Sequence, residues 1–261
     1  MRRYFKVVRL FWATSLQAEL EYRTNFVVSI VGTGAHLAGN LFALSLFYQH
    51  GASLGGWPWR EALLVMGMFT VLQGLSRMLF HPNLSRIVEH VRTGTLDFVL
   101  IKPIDSQFWL SSRRLSPWGL PETLFGAGIL IYAAAALDLG LATLVVAVFP
   151  VAASLTILYS LWYLVATTTI WYVKIYNVTE VLQALLAAGR YPIQAFPVGA
   201  YRFVFSFLIP VAFLTTVPAE AMLGRASLDF LGYSGLFALC LFALSRWFWR
   251  FALRSYTSAS S

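Results

Sequence analysis

Six long apolar stretches cross the chain of 261 residues, at about 26–48, 61–80, 120–137, 141–173, 198–217 and 230–245. A helix needs about 20 apolar residues to cross a hydrocarbon core of roughly 30 Å, where no water is present to satisfy its backbone. Six such windows take up more than half of the chain and leave little for a soluble domain. Composition agrees, with 59% hydrophobic and 11% charged residues, against roughly 25% charged in soluble domains. The sequence therefore predicts an all-α integral membrane protein with six transmembrane helices. None of the six stretches carries a charged side chain near its middle, which argues that protons and ions do not move through the chain and that its driving energy comes from elsewhere.

The 19 Lys and Arg residues exceed the 11 Asp and Glu residues, for a formal net charge of +8. They are spread along the chain at helix ends rather than gathered into a patch, so topology explains them better than a nucleic-acid partner. Flanking Lys and Arg favour the cytoplasm. With both termini cytoplasmic, all the bases except Arg60 and Arg225 fall inside, which predicts a multi-pass chain with short outer loops. Cys240, the one cysteine, sits inside an apolar run, where packing is its expected role; alone it offers neither a disulfide nor a zinc cluster within the chain.

Residues 1–21 lack the short apolar core and cleavage site of a signal peptide. Arg2, Lys6 and Arg9 form one helical stripe with Phe5, Val8, Trp12 and Leu16 beside it, the pattern of an interfacial helix that meets membrane lipid. A solvated, charged start is the alternative. In the first span Gly32, Gly34, Ala35, Ala38 and Gly39 put small residues on one face, implying close helix contact. Pro150 interrupts the fourth span and Pro210 the fifth, and residues 218–223 read as a short element folding back into the outer leaflet.

Polar groups inside the spans are few. His36 and Asn40 share a face of the first span and Gln73 sits in the second, as an interhelical hydrogen-bonding pair or as part of a path for substrate. The tetrapeptide Gly232-Tyr233-Ser234-Gly235 matches the pattern of rhomboid-type intramembrane serine proteases, but His36, His50, His81 and His90 all precede Ser234, whereas those enzymes take their base from a later helix. No catalytic residue is assigned. No phosphate-binding loop with its Gly-Lys-Ser/Thr exists, and no metal-ligand spacing appears.

The largest cytoplasmic connection, 81–121, opens with an amphipathic helix. Leu84, Ile87, Val88 and Val91 follow helical spacing, Arg86, Glu89, His90 and Arg92 occupy the other face, and Gly94 ends it. Such a helix, tied to two spans, suits a lever docked into a partner's groove, or else lies on lipid.

The run Arg92-Thr93-Gly94-Thr95-Leu96-Asp97-Phe98 with Lys102-Pro103 resembles the cytoplasmic-loop signature of ABC type-2 exporter permeases. Tyr191-Pro192, Phe196-Pro197, Ile209-Pro210-Val211-Ala212-Phe213 and Pro218-Ala219-Glu220-Ala221-Met222-Leu223-Gly224 are similar to the last third of a subfamily that includes viologen-exporter-like permeases. The resemblance covers the whole chain. It implies a single permease domain over 1–261 in a bacterial-type inner membrane, with an interfacial helix, a coupling helix over 83–97 and a re-entrant element after the fifth span. It also implies pairing with a second, identical or related permease and contact with a separate ATP-binding subunit, which carries ATP and Mg while this chain holds no cofactor. The expected coupling contact is Asn83, Leu84, Ile87, Val88, Val91, Arg92, Thr95 and Asp97.

The substrate path is expected at His36, Asn40, Gln73, Trp162 and Trp171, for an amphipathic or lipophilic substrate. Trp162 and Trp171, with Tyr163, Tyr172 and Tyr176, gather at the inner end of the fourth span. There they serve a lipophilic cation or form an ordinary interfacial belt. A secondary transporter or channel working alone is the second reading; an intramembrane hydrolase using Ser234 and a membrane scaffold are further ones.

Overall fold

The computed structural model describes residues 2–19, 23–49, 51, 53–172 and 178–256. Tyr176 and the outer ends of the expected 1–21 and 141–173 segments lie outside them. Helices make up the fold, with no strand among the described residues. Five helices are long and apolar enough to cross a membrane, which makes this a multi-pass membrane protein.

Helix α1 (Arg2–Glu19) precedes α2 (Arg23–Gln49), which covers the expected first span. Helix α3 (Trp59–Leu75) runs through a π turn at Ser76–Phe80 into α4 (His81–Arg92). The expected second stretch, 61–80, and the amphipathic helix after it are therefore one continuous rod. Proline takes the second position of α4, and the Met78 carbonyl four residues before it accepts from the Ser116 N–H at 3.0 Å instead. The rod of 34 residues, Trp59–Arg92, is about 50 Å long at 1.5 Å per residue, and so projects well beyond one side of a bilayer. On that side the chain returns through α5 (Asp97–Leu100) and α6 (Ser106–Ser112). We call it the loop side and its opposite the far side.

Helix α7 (Leu120–Ala136) runs back to the far side, where a turn at Asp138 (φ 50) leads into α8 (Leu141–Thr167). Helices α3 and α7 meet along a glycine seam. A Cβ added to Gly74 would lie 2.5 Å from the Thr123 nitrogen, and one added to Gly126 would lie 2.6 Å from that of Val71, so only glycine lets these backbones approach. Helix α2 behaves differently. In its most apolar window 11% of residues are buried, against 61% for the α3–α4 rod, and Gly32 and Gly39 have nothing within 4 Å of an added Cβ. Most of its small-residue face is thus open among the described residues, and of its three glycines Gly34 comes near a neighbour, Phe125 at 3.8 Å from an added Cβ.

The fifth crossing also differs from expectation. Beyond Tyr172 the described chain resumes at α9 (Val178–Leu186), followed by short 3-10 turns at Ala187–Arg190 and Ile193–Ala195. By Gln194 it has reached the far side: its Oε1 accepts from Trp57 Nε1 at 3.0 Å, and its carbonyl abuts Gly55, whose φ of +60 and missing Cβ the contact requires. The 18 residues from 178 to 195 rise about 27 Å if helical, close to one crossing.

The expected fifth span, 198–217, is instead most of a hairpin. Arg202 Nη2 donates to the carbonyls of Gln194 (3.1 Å) and Phe196 (3.0 Å), which holds the start of α10 (Ala200–Phe203) at the far side. The chain bends by 66° between Ala200–Leu208 and Ala212–Met222, with Pro210 at the break. It returns through α11 (Val217–Met222) to Arg225, whose guanidinium makes two 2.6 Å bonds to Glu61 at the far end of α3. At the tip the Phe213 carbonyl lies 2.8 Å from the Ser154 hydroxyl, halfway along α8. The element enters and leaves by the same side. Its re-entrant character was expected; its extent, the whole of 200–222 rather than 218–223, was not. Arg202 accordingly joins Arg60 and Arg225 on the far side.

Helix α12 (Leu228–Arg254) closes the set, capped by Ser227, whose hydroxyl accepts from the Phe230 N–H at 3.2 Å. It crosses beside α8, and Cys240 points outward from it, exposed rather than packed.

Candidate functional site

The loop side is built on α4. Asn83 clamps it to the returning chain, donating to the carbonyls of Leu79 (2.6 Å) and Arg114 (2.8 Å) and accepting from the Arg114 N–H (2.8 Å). Leu84, Ile87 and Val91 are buried in the core and Val88 is half-buried. The apolar stripe expected to face a partner thus faces inward, because the loop itself covers it. Thr95 is half-buried, its hydroxyl 2.8 Å from His90 Nδ1, and Asp97 is half-buried at the start of α5. Of the expected coupling residues, Arg92 alone is exposed.

The apolar groups that protrude instead are Phe98 and Ile101, 65% and 78% exposed, in the segment farthest along the chain from both flanking spans. A basic residue, Lys102, follows them in the chain. Lys102 Nζ sits 3.8 Å over the Trp109 ring; partial burial, then the Arg113 charge, hold its ammonium below the ordinary lysine value. Asp105 anchors this surface: it caps α6 by accepting from the Phe108 N–H at 2.9 Å and forms a two-pronged pair with Arg246 of α12. That hydrogen-bonded pair lowers the Asp105 carboxyl below its usual value. Helix α1 lies against the same layer, with Trp12 Nε1 donating to the Ser112 carbonyl at 3.2 Å and Ser15 to that of Leu115 at 2.9 Å.

Inside the bilayer, α2, α3, α7 and α9 enclose a polar cleft of about 300 Å³. His36 and Asn40 enter it from α2 and Gln73 from α3, so three of the five expected path residues come together. Trp162 does not join them: it is buried in the core, its ring edge-on to His81. Trp171 packs on Phe248 and Phe251 of α12.

Among the cleft residues that were not expected there are Arg190 and Glu122. Arg190 Nη1 donates to Asn40 Oδ1 at 3.0 Å, its guanidinium carbon lies 5.4 Å from the Phe69 ring centre, and its buried Nε–H has no acceptor. Glu122 Oε2 stands 3.4 Å from Arg77 Nη1. The six apolar stretches remain free of charge near their middles, but the cleft is not uncharged, because Arg190 enters it from a segment outside all six. A cation at the bilayer centre costs about 2.5–3.5 kcal/mol on insertion scales. Among the described residues no carboxylate lies within ion-pair reach of Arg190.

Ser234 is 1% exposed and donates to the Leu231 carbonyl at 2.7 Å, the arrangement of a structural hydroxyl. No metal-holding cluster occurs among the described residues.

Comparison with known families decides the class: the profile described as "ABC-2 family transporter protein" matches residues 35–260. The chain belongs to the ABC-2 family. The match begins within α2 and runs through α12, so the cleft, the loop and the hairpin all lie in the ABC-2 region. No curated protein and no solved structure matches the chain. ABC-2 permeases are typically non-catalytic membrane subunits that work with an ATP-binding subunit, so this chain is an exporter permease component.

Proposed function

We propose that this chain is one of two permeases of an ATP-driven exporter for an amphipathic or lipophilic substrate, of the viologen-exporter-like subfamily, driven by an ATPase that binds ATP and Mg on its own subunit. The observation that carries the reading is the continuity of the 34-residue rod Trp59–Arg92. The exposed Phe98 and Ile101 lie just past its loop end, while Gln73 and Arg77 on the same rod line the cleft. A push on the loop by the ATPase is therefore delivered along one helix to the walls of the substrate path. The π turn at Ser76–Phe80 is the point where the rod can yield.

The ATPase contact in this reading comprises Arg92, Phe98 and Ile101, with Asn83, Leu84, Ile87, Val88, Val91, Thr95 and Asp97 shaping the loop from beneath. The open small-residue face of α2 supports pairing with the second permease. The loop side is cytoplasmic, with both termini, in a bacterial-type inner membrane: among the described residues 14 bases belong to that side once Arg60, Arg202, Arg225 and the cleft's Arg190 are set apart.

The test is purification of the tagged chain from its native membrane, with mass spectrometry and an ATPase assay. A stoichiometric P-loop subunit with ATP hydrolysis is expected, lost in a Phe98→Asp/Ile101→Asp variant that still inserts. The polar cleft favours a second reading, a transporter working alone. A lone chain whose transport continues without ATP and depends on His36 or Asn40 would establish it.

A further inference from the structure

Helix α2 separates two cavities that share a wall at Leu37. On one side is the polar cleft with Arg190. On the other, between α2 and α7, lies an apolar groove of about 670 Å³ lined by Leu41, Phe42, Leu63, Phe125 and Ile129. Both volumes fall in the range of ligand pockets, about 300–1,000 Å³. The two also meet along α7, where Glu122 faces the cleft and Leu124 and Phe125 the groove. Helix α2 itself buries 11% of its most apolar window within the chain.

The charge pattern selects the head that fits the cleft. Arg77 stands 3.4 Å from Glu122, whose charge also acts on Arg190 at a longer distance, and Glu180, exposed at the start of α9, is at the loop-side mouth. Arg190 is held by a neutral amide oxygen, with a second donor unused. A guanidinium in this setting is matched by a planar or tetrahedral oxyanion, which accepts from its fork.

We propose that cleft and groove form one site for a single amphiphile, with a phosphate or carboxylate head at Arg190 and an alkyl or acyl tail between α2 and α7. This deepens the exporter reading by naming the chemistry of its cargo. The tail enters sideways from the bilayer, and α2 is the wall it passes.

The full-length chain with its co-purified partners, in phosphatidylcholine nanodiscs, is titrated with dodecyl phosphate, dodecyltrimethylammonium and inorganic phosphate. Dodecyl phosphate is expected to saturate at least tenfold tighter than either other probe. Arg190→Gln removes that preference and Arg190→Lys keeps part of it. Gly128→Phe, at a groove position with nothing within 4 Å of an added Cβ, weakens dodecyl phosphate about tenfold or more. Equal binding of the anionic and cationic probes by the unaltered chain overturns the proposal, as does wild-type affinity in Arg190→Gln or Gly128→Phe. Displacement by dioleoylphosphatidylglycerol identifies the head as that of a bilayer lipid, and its failure to displace identifies a cargo; both outcomes uphold anion recognition. Binding is read without ATP, so a chain that binds dodecyl phosphate but has no ATPase partner refutes the exporter reading and leaves this site standing.

Discussion

Asp105 performs two separable tasks, and removing them one at a time has calculable effects on the loop. As the N-cap of α6 it accepts the Phe108 N–H, worth about 1 kcal/mol against alanine. As the partner of Arg246 it forms a two-pronged ion pair between side chains 36% and 34% exposed, which solvent screening limits to about 0.5–1 kcal/mol. Asparagine keeps the cap and removes the charge, so Asp105→Asn is expected to cost about 0.5–1 kcal/mol and Asp105→Ala about 1.5–2 kcal/mol. In amide hydrogen exchange these become losses of protection in α6 of about twofold to fivefold and about tenfold to thirtyfold. The pair should also respond to pH in one direction. Arg246 lowers the folded carboxyl below its ordinary value, so its stabilisation is complete above the unfolded value near 3.9 and is lost as pH falls through the folded one. Protection from this source should be flat between about pH 5 and 7 and decline only below about pH 4. Equal protection in the Asn and Ala variants, or a decline centred near neutrality, would refute the division of labour.

At the far end of the hairpin, Arg225→Met leaves the buried Glu61 without its partner and should lower stability by about 1–3 kcal/mol in a thermal-unfolding assay. The double variant with Glu61→Gln should recover part of that loss. Gly74→Leu drives a side chain into the α7 backbone and should cost about 1–3 kcal/mol or more by overpacking, read as a loss of monodisperse protein, whereas Gly39→Leu on the open face of α2 should leave the isolated chain intact. Asn40→Leu removes the oxygen that holds Arg190 and should alter transport without changing membrane insertion.

The five straight crossings were legible because each is a run of about 18 or more apolar residues, which only a bilayer or a large core can accommodate. The fifth was misplaced for a reason lodged in its function. Glu180, Gln183 and Arg190 turn into the cleft and lower the hydropathy of 178–195, while the hairpin 200–222, whose second arm packs on α3 and α8 and whose first arm exposes Tyr201, Phe203, Phe207 and Leu208, is the more apolar of the two. Hydropathy registers the surroundings of a segment, not its direction through the bilayer. Pro210 and the base Arg202 within the supposed span were the available signs of a fold-back. His36, Asn40 and Gln73 could be picked out as polar groups in apolar spans; Arg190 could not, because it had been assigned to a connection, nor Glu122, because it stood at the end of the third stretch. On the loop, helical spacing identified the apolar stripe of α4 but gave no sign of which surface covers it. The returning chain does, held by Asn83, and leaves Phe98 and Ile101 to face outward.

The placement of Arg190 within the membrane, and with it the substrate site, depends on 178–195 crossing the bilayer and 200–222 turning back. Val198, 84% exposed, lies just after that crossing and tests this directly. In a Cys240→Ala background, Val198→Cys is treated with a membrane-impermeant maleimide on intact cells stripped of any outer barrier, with Ser53→Cys and Thr93→Cys as far-side and loop-side references. Labelling of Val198→Cys without permeabilisation, as for Ser53→Cys, is the predicted result. Labelling only after the membrane is opened, as for Thr93→Cys, would contradict the account and restore 198–217 as the fifth span.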